Sequence, residues 1–307
     1  MKKGIKISLM YTGIVLLLSA GLYRMYYGQW FIPRVRFTSS YGMHYMTHHT
    51  NIIFDLNDTL FTINKRKALS LLGVGNIMGY FLSGNRTADL ELKLFQLLDM
   101  IYPQETQNTQ ELIPMHKGKP MPKLMQAWML GEVTSQELID LVMAHIKQCD
   151  GTSFFANKRE KRIISKAVMM LFDPQTRADL YRPIKKGINL VRQCKKLGHK
   201  VYLLSNIDTE LIELLREKYP AIFELFDGVI VSADLGHMKP HKEIYEHLLA
   251  TYHMDPSRTY FIDDEQENIA GAQRIGMHGI ACDHAQYAQV SDRLRDLGVF
   301  KQSSKTA

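Results

Sequence analysis

An aspartate that directly follows a short apolar run is the first candidate for chemistry in this chain. Residues 52–54 have the apolar character of a buried strand, and Asp55 stands where that strand would end. In parallel sheets, ligands bind at the carboxyl ends of the strands, because the loops there face a common crevice. A carboxylate held rigidly at that edge could act as a nucleophile.

Three later segments carry polar residues that could complement such a nucleophile. Each follows an apolar run or precedes a proline that can open a helix, and the residues are Ser205, Asn206, Lys239, Asp263 and Asp264. In chain order the set reads nucleophile, phosphate-binding hydroxyl, lysine and acidic metal site. Phosphoryl transfer asks mainly for positioning and for positive charge around the phosphoryl oxygens, which a lysine and Mg²⁺ could supply.

These four motifs, in this order, resemble those of the haloacid dehalogenase superfamily, a large group made up mostly of phosphatases that work through an aspartyl-phosphate. The resemblance covers residues 51–283. It implies an α/β fold with a doubly wound, Rossmann-like parallel sheet and an α-helical cap of the C1 type, inserted after the first motif. The cap would cover the active site and select the substrate.

The resemblance also implies a role for each motif residue. Asp55 looks like the nucleophile, and Lys239 would neutralise the phosphate charge. The phosphate-binding residues would be Thr59, Ser205, Asn206 and Lys239. The Mg²⁺ ligands would be Asp55, Asp263, Asp264 and the backbone carbonyl of Asn57. Magnesium prefers such hard oxygen ligands, and no Cys/His cluster indicates zinc.

One catalytic position departs from the family pattern. The superfamily usually places a second aspartate two residues after the nucleophile, where it protonates the leaving oxygen and later activates water. Here that residue is Asn57. An amide cannot donate and recover a proton near neutral pH, so we expect Asn57 not to supply the usual general acid–base contribution to the rate, about 10²–10⁴-fold. We therefore expect a preference for leaving groups that depart unprotonated, as in aryl (phosphotyrosine-like), acyl or anhydride phosphates.

Two other interpretations of Asn57 stay open. The protein could be a degenerate, membrane-tethered module that binds phosphate or a partner without turnover. It could also be a phosphotransferase that passes the phosphoryl group to an acceptor other than water. The intact charged residues Asp55, Lys239, Asp263 and Asp264 argue against complete loss, because buried charges are costly when they are unpaired.

Alternating helix and strand patterns must position these motifs. From residue 182 onward, apolar runs of strand length alternate with helical patterns, which indicates parallel α/β organisation. The stretch between the first two motifs is far longer than a crossover helix needs, and its apolar spacing is helical. We assign residues 51–62 and 182–297 to the catalytic core, 63–181 to the inserted cap and 298–307 to a polar tail.

The first 50 residues differ in character from the rest. Residues 7–23 form an uncharged apolar stretch, which basic residues flank and aromatic residues follow. The chain's net charge is +7, but most of it lies in this segment, so we reject nucleic-acid binding in favour of a membrane. We expect residues 1–36 to be a single-pass transmembrane helix with its flanks and residues 37–50 a linker.

The side of the membrane is less well determined. A cleaved signal peptide is the competing interpretation and would make the protein secreted or periplasmic. The three cysteines, Cys149, Cys194 and Cys282, are odd in number and widely spaced, which favours free thiols and a cytosolic catalytic domain. Under a cap the expected substrate is a small phosphorylated molecule, with a phosphopeptide as the alternative. The sequence predicts no oligomeric state.

Overall fold

The computed structural model describes residues 50–84, 86–101, 115–116, 119–282 and 286–300. The predicted membrane segment, residues 1–36, and nearly all of the predicted linker lie outside these ranges. Among the helices of the described residues, none is long and apolar enough to cross a membrane.

The described residues form nine strands and fourteen α-helices. The strands are β1 (Asn51–Phe54), β2 (Phe61–Ile63), β3 (Met115–His116), β4 (Lys119–Pro120), β5 (Tyr181–Pro183), β6 (Lys200–Ser205), β7 (Gly228–Val231), β8 (Thr259–Asp263) and β9 (His278–Ala281). The first seven helices are α1 (Lys65–Leu72), α2 (Val74–Leu82), α3 (Thr87–Ile101), α4 (Lys123–Met129), α5 (Ser135–Gln148), α6 (Lys158–Phe172) and α7 (Pro174–Leu180). The others are α8 (Lys185–Lys196), α9 (Thr209–Lys218), α10 (Pro220–Phe223), α11 (Ser232–Leu235), α12 (Lys242–Thr251), α13 (Gln266–Arg274) and α14 (Tyr287–Asp296).

Five of the described strands form a parallel sheet in the order β7-β6-β1-β8-β9. Residues alternate between its two faces, and helices cover both of them. Ile52 and Phe54 pack with side chains of α8, α9 and α14, whereas Ile53 packs with side chains of α12 and α13. The continuous apolar runs of β1 and β8 reflect this double burial, since neither face of a doubly covered sheet meets water. The predicted α/β fold with a parallel sheet is confirmed.

A helical insertion, residues 64–180, leaves the core through β2 and returns through β5. These two strands pair antiparallel, with Ile63 opposite Tyr181. Helices α1–α6 enclose a second apolar core, in which Trp128 and Phe172 meet edge to face at 5.2 Å between ring centroids. The insertion is held against the catalytic core, because Met238 joins this second apolar cluster.

Three of the predicted segment boundaries differ slightly from those in the structure. Ile63 and Tyr181, assigned to the cap, belong to the β2–β5 ribbon, because antiparallel pairing extends one residue further on each side. The polar tail does not begin at residue 298. Gly298 has a positive φ of 74°, and the two apolar residues that follow it, Val299 and Phe300, are buried in the core.

Candidate active site

Adjacent strands bring the predicted nucleophile and the acidic motif to one edge of the sheet. β1 lies between β6 and β8, so Asp55 and the terminal residues Ser205 and Asp263 all lie at the carboxyl ends of neighbouring strands. The backbone N–H of Asp55 donates to the carbonyl of Ile262 at 2.9 Å, which continues the sheet pairing up to the nucleophile. The backbone position of the Asp55 carboxylate is therefore set by the sheet.

Lys239 joins two of these carboxylates. Its Nζ lies 2.6 Å from Asp55 Oδ1 and 2.7 Å from Asp263 Oδ2, and its side chain is 1% exposed. Charge-assisted hydrogen bonds of this length in a buried setting are strong, and each carboxylate compensates the desolvated ammonium. The lysine predicted from its place before Pro240 is thus brought to the nucleophile.

Asn206 fixes the segment that carries Lys239. Its side-chain Nδ2 donates to the carbonyl of Lys239 at 2.8 Å, and its Oδ1 accepts from the backbone N–H of Lys239 at 2.8 Å. This reciprocal pair uses both ends of the amide. Asn206 was predicted to bind phosphate, and the observed contacts give it a positioning role toward Lys239.

Asn268 is a site residue to which the sequence prediction gave no role. It is buried in α13, and its Nδ2 lies 3.2 Å from Asp263 Oδ1 and 3.1 Å from Asp263 Oδ2. The backbone N–H of Glu265 also donates to Asp263 Oδ1, at 2.8 Å. Asp263 is therefore held by Lys239, Asn268 and the start of α13. The signal that could have identified Asn268 is its place one turn after the acidic motif.

The electrostatics of the site are dominated by crowded carboxylates. Burial raises the pKa of Asp55 to about 7, and nearby Asp263 adds to the effect while Lys239 opposes it. Burial, followed by the charges of Asp263 and Asp55, raises the pKa of Asp264 to about 10. Burial alone would lower the pKa of Lys239, but the two carboxylates that it contacts raise it further, so it stays protonated near neutral pH. One lysine does not balance this negative charge.

The donor set fits a hard divalent cation. Within the described residues, no group of three or more His, Cys, Asp or Glu side chains forms a ready metal site. Lys239 lies between Asp55 and Asp263, the two carboxylates that it contacts. The excess negative charge around Asp264 is nevertheless what a cation would relieve, and carboxylate and carbonyl oxygens are the ligands that Mg²⁺ prefers.

Two predicted phosphate-binding hydroxyls are buried away from the cavity beside the charged cluster. Thr59 and Ser205 are fully buried, and neither hydroxyl has a hydrogen-bond partner within the described residues. Neither residue lines the cavity that lies between the core and the insertion. A buried hydroxyl without a partner is destabilising, so both positions are ones that a ligand or water could satisfy. Their role toward phosphate stays a prediction.

A tyrosine from the end of the insertion contacts the unusual Asn57. Tyr181 Oη donates to Asn57 Oδ1 at 2.8 Å. Burial raises the pKa of Tyr181, so its hydroxyl remains protonated and can donate. Because Oδ1 is occupied, the NH₂ of Asn57 is left to donate, and it has no partner among the described contacts. No sequence pattern could have joined these residues, which lie 124 positions apart.

The charged cluster opens into a cavity of about 320 Å³ between the core and the insertion. The core supplies the polar lining, which includes Asp55, Asn57, Lys239, Asp263 and Asp264. The insertion supplies mostly apolar side chains from α1, α3, α4 and α6. A substrate in this cavity would meet a charged core side and an apolar insertion side.

Comparison with known proteins identifies the family. The sequence profile of the haloacid dehalogenase-like hydrolases matches residues 50–276, which is most of the chain. The chain belongs to this family. Its members in known structures include a haloacid dehalogenase family enzyme of Bacteroides thetaiotaomicron, 18% identical, which aligns with 76% of this chain and 93% of its own with a TM-score of 0.47.

Three curated relatives of this haloacid dehalogenase-like hydrolase match parts of it. The sesquiterpene phosphatase astK of Aspergillus oryzae is 38% identical over 99 residues, 32% of this chain and 50% of that protein. The D-ribitol-5-phosphate phosphatase of B. thetaiotaomicron is 33% identical over 85 residues, 26% of this chain and 41% of that protein. The pyrophosphatase PpaX of Bacillus mycoides is 24% identical over 110 residues, 36% and 51% of the two chains. This chain thus spans about half the length of these relatives.

Because carboxylates crowd around Asp264, we expect its replacement by a neutral residue to stabilise the fold, and to do so more strongly at higher pH. Because the pKa of Asp264 is about 10 in the fold and near 3.8 otherwise, folding takes up a proton between these values, and stability falls as pH rises through them. In EDTA, Asp264→Asn should raise Tm by about 3 °C or more at pH ~8 and by less at pH ~5. Mg²⁺ should then stabilise the unaltered protein more than the variant.

The exposed Asp296 provides the matched control, since Asp296→Asn also removes one carboxylate but from the surface end of α14. Thermal unfolding followed by circular dichroism measures all three proteins. A gain in Tm that is equal at both pH values, or equal in the Asp296 variant, would contradict the proposed crowding at Asp264.

The contact between Tyr181 and Asn57 predicts a selective loss of catalysis. Tyr181→Phe removes the hydrogen bond to Asn57 and the interaction of the Tyr181 hydroxyl with Arg177, so kcat/KM for phosphate esters should fall by about three- to tenfold. Tyr219→Phe is the control, because Tyr219 Oη donates to the backbone carbonyl of Tyr181 at 2.9 Å and Tyr219 does not line the cavity. If kcat/KM and Tm fell equally in both variants, the Tyr181 hydroxyl would contribute only to the stability of the fold.

Proposed function

We propose that this chain is a magnesium-dependent phosphatase that forms an aspartyl-phosphate on Asp55. The observation that carries the proposal is the buried contact of Lys239 Nζ with both Asp55 and Asp263 at the carboxyl edge of the sheet. Membership of the haloacid dehalogenase-like hydrolases and partial matches to three phosphate-releasing enzymes support it.

The chain's own residues account for the first step. Asp55 attacks the phosphorus, and the leaving oxygen departs on the opposite side. Lys239 stays charged and compensates the phosphoryl oxygens, while Asn206 holds the backbone of Lys239 in place. Magnesium, when bound by Asp55, Asp263, Asp264 and the carbonyl of Asn57, would add positive charge at the transferring group.

Leaving groups that need no proton are the preferred substrates in this proposal. Asn57 occupies the usual acid position, and its Oδ1 accepts from Tyr181. Asp58, the neighbouring carboxylate, accepts a hydrogen bond from Thr62 Oγ1 at 2.8 Å, which supports a separate, local role for it. Aryl, acyl or anhydride phosphates should therefore be turned over in preference to sugar phosphates.

We propose that the helical insertion acts as the cap over this site. Side chains from α1, α3, α4 and α6 line the same cavity as Asp55, which supports a role in excluding water and selecting the substrate. A cavity of about 320 Å³ favours a small phosphorylated molecule over a phosphopeptide of a folded protein.

The substitutions Asp55→Asn and Asn57→Asp test the mechanism. With an aryl phosphate and Mg²⁺, the unaltered chain should release inorganic phosphate, and Asp55→Asn should lower kcat by about a thousandfold or more, because the nucleophile is lost. Asn57→Asp restores an acid at the usual position, so it should raise turnover of an alkyl phosphate such as glycerol phosphate by about 10²-fold relative to the aryl ester.

Steady-state phosphate release, with EDTA as the metal-free control, measures both effects. Equal turnover of aryl and alkyl phosphates by the unaltered chain would reject the leaving-group preference. No release from the unaltered chain or from Asn57→Asp would favour a phosphate-binding module without turnover.

We further propose that residues 7–23 anchor the protein in a membrane as a single pass, with the catalytic domain in the cytosol. The uncharged apolar run, its basic flanks and its aromatic neighbours support this. The full chain should stay in the membrane fraction after alkaline carbonate extraction and should retain its N-terminal sequence. Release into the soluble fraction with a shortened N-terminus would favour a cleaved signal peptide.

A further inference from the structure

The insertion side of the cavity forms an apolar chamber next to the charged cluster. Its lining includes Leu94, Phe95, Met125, Trp128, Ile164 and Met170, from α3, α4 and α6. The whole cavity of about 320 Å³ corresponds to the volume of roughly ten water molecules, so space remains beyond a phosphoryl group. The chamber is therefore large enough to hold part of the leaving group.

Few polar groups from the insertion line this chamber, and two of them form ion pairs with other residues. Glu91 pairs with Lys119 at 3.3 Å, and Arg177 pairs with the buried Asp208. A polyol or sugar would leave its hydroxyls without partners against leucine, methionine and phenylalanine side chains. The chamber instead suits a hydrocarbon chain, which loses nothing by leaving water.

Arg177 lies where the apolar and charged parts of the cavity meet. Its guanidinium carbon lies 4.6 Å from the centroid of the Trp128 ring. The charge of Arg177 also acts on Tyr181, the residue that donates to Asn57, and opposes the rise in the pKa of Tyr181 that burial causes. A guanidinium has five N–H donors, so the ion pair with Asp208 does not exhaust them. The N–H donors that Asp208 leaves could donate to a second phosphate at this point, while Asp208 compensates the charge of the guanidinium.

We propose that the physiological substrate is an apolar-chain diphosphate, with the hydrocarbon in the chamber, the inner phosphate at Arg177 and the outer phosphate at Asp55. This inference rests on the proposed phosphatase function. Such a substrate accounts for both the apolar chamber and the absence of an acid at position 57, because the leaving group of an anhydride linkage needs no proton. The second pKa of a phosphate monoester is about 6, far below that of an alcohol.

The reaction balances as the loss of one phosphate. A carboxylate oxygen of Asp55 forms a bond to the outer phosphorus, and the bond from that phosphorus to the bridging oxygen breaks. The bridging oxygen keeps the electron pair and leaves as the chain monophosphate. Water then attacks the phosphorus of the aspartyl-phosphate, releases inorganic phosphate with the proton of water, and restores the Asp55 carboxylate.

A chain-length series on the full-length protein tests the proposal. Ethyl, butyl, hexyl and octyl diphosphates would be assayed for phosphate release with Mg²⁺, beside octyl monophosphate and an aryl phosphate. Burial of one methylene group corresponds to a factor of about four, so kcat/KM should rise by at least about a hundredfold from ethyl to octyl diphosphate. Octyl monophosphate should be at least about a hundredfold slower than octyl diphosphate.

Two neighbouring methionines of α6 provide a matched pair of variants. Met170 lines the chamber, whereas Met169, the residue before it, is 39% exposed. Met170→Gln places an amide in the chamber at nearly constant volume and should lower the octyl-to-ethyl ratio of kcat/KM by about tenfold or more. Met169→Gln should leave that ratio unchanged, and Tm of both variants reports on the fold.

The outcomes separate this inference from the function on which it rests. A flat chain-length series with normal aryl phosphatase activity would overturn the apolar-chain substrate and leave the phosphatase in place. Equal rates for octyl monophosphate and octyl diphosphate would overturn the diphosphate assignment. Absence of phosphate release from every substrate would overturn both.

Discussion

A single buried ammonium group sets the arrangement of this site. Lys239 is enclosed between Asp55 and Asp263, and none of the three charges could be buried at acceptable free energy without the others. Removing one partner of such a cluster typically destabilises a protein by about 3–5 kcal/mol. The parallel sheet meets this constraint by ending two adjacent strands at the same edge, and Asn206 meets it by holding the Lys239 backbone. The proposed chemistry and the stability of the core thus depend on the same contacts.

The helical insertion supplies the apolar side of the cavity at this site. Its helices pack around an apolar core of their own, and its contacts with Met238, next to Lys239, and with Ser232, at the start of α11, hold it against the catalytic core. The resulting cavity is charged where the sheet ends and apolar where the insertion begins. Such a cavity discriminates through desolvation, since polar groups placed against the insertion lose hydrogen bonds with water and gain none.

The sequence predicted those parts of the fold and site that have local signals. Apolar strands that end in Asp55 and Asp263, and the lysine before a proline, could each be found from a few neighbouring residues, and parallel α/β alternation placed them together. The contact of Tyr181 with Asn57 could not be found, because it joins positions 124 residues apart. The positioning role of Asn206 was missed for a related reason: its hydrogen bonds are to the backbone of Lys239, and a backbone contact depends on packing alone.

The presence of Asn57 at the usual acid position also affects when water could react in the proposed mechanism. The first step of the proposed reaction needs a dry cavity, because water would compete with Asp55 and screen Lys239. The second step needs one water at the aspartyl-phosphate. An apolar leaving group of the proposed kind would satisfy both requirements in turn, since it would exclude water while it is bound and admit water when it departs. In the proposed reaction Asn57, which accepts a hydrogen bond from Tyr181, cannot deprotonate that water, so departure of the leaving group would be the event that permits hydrolysis.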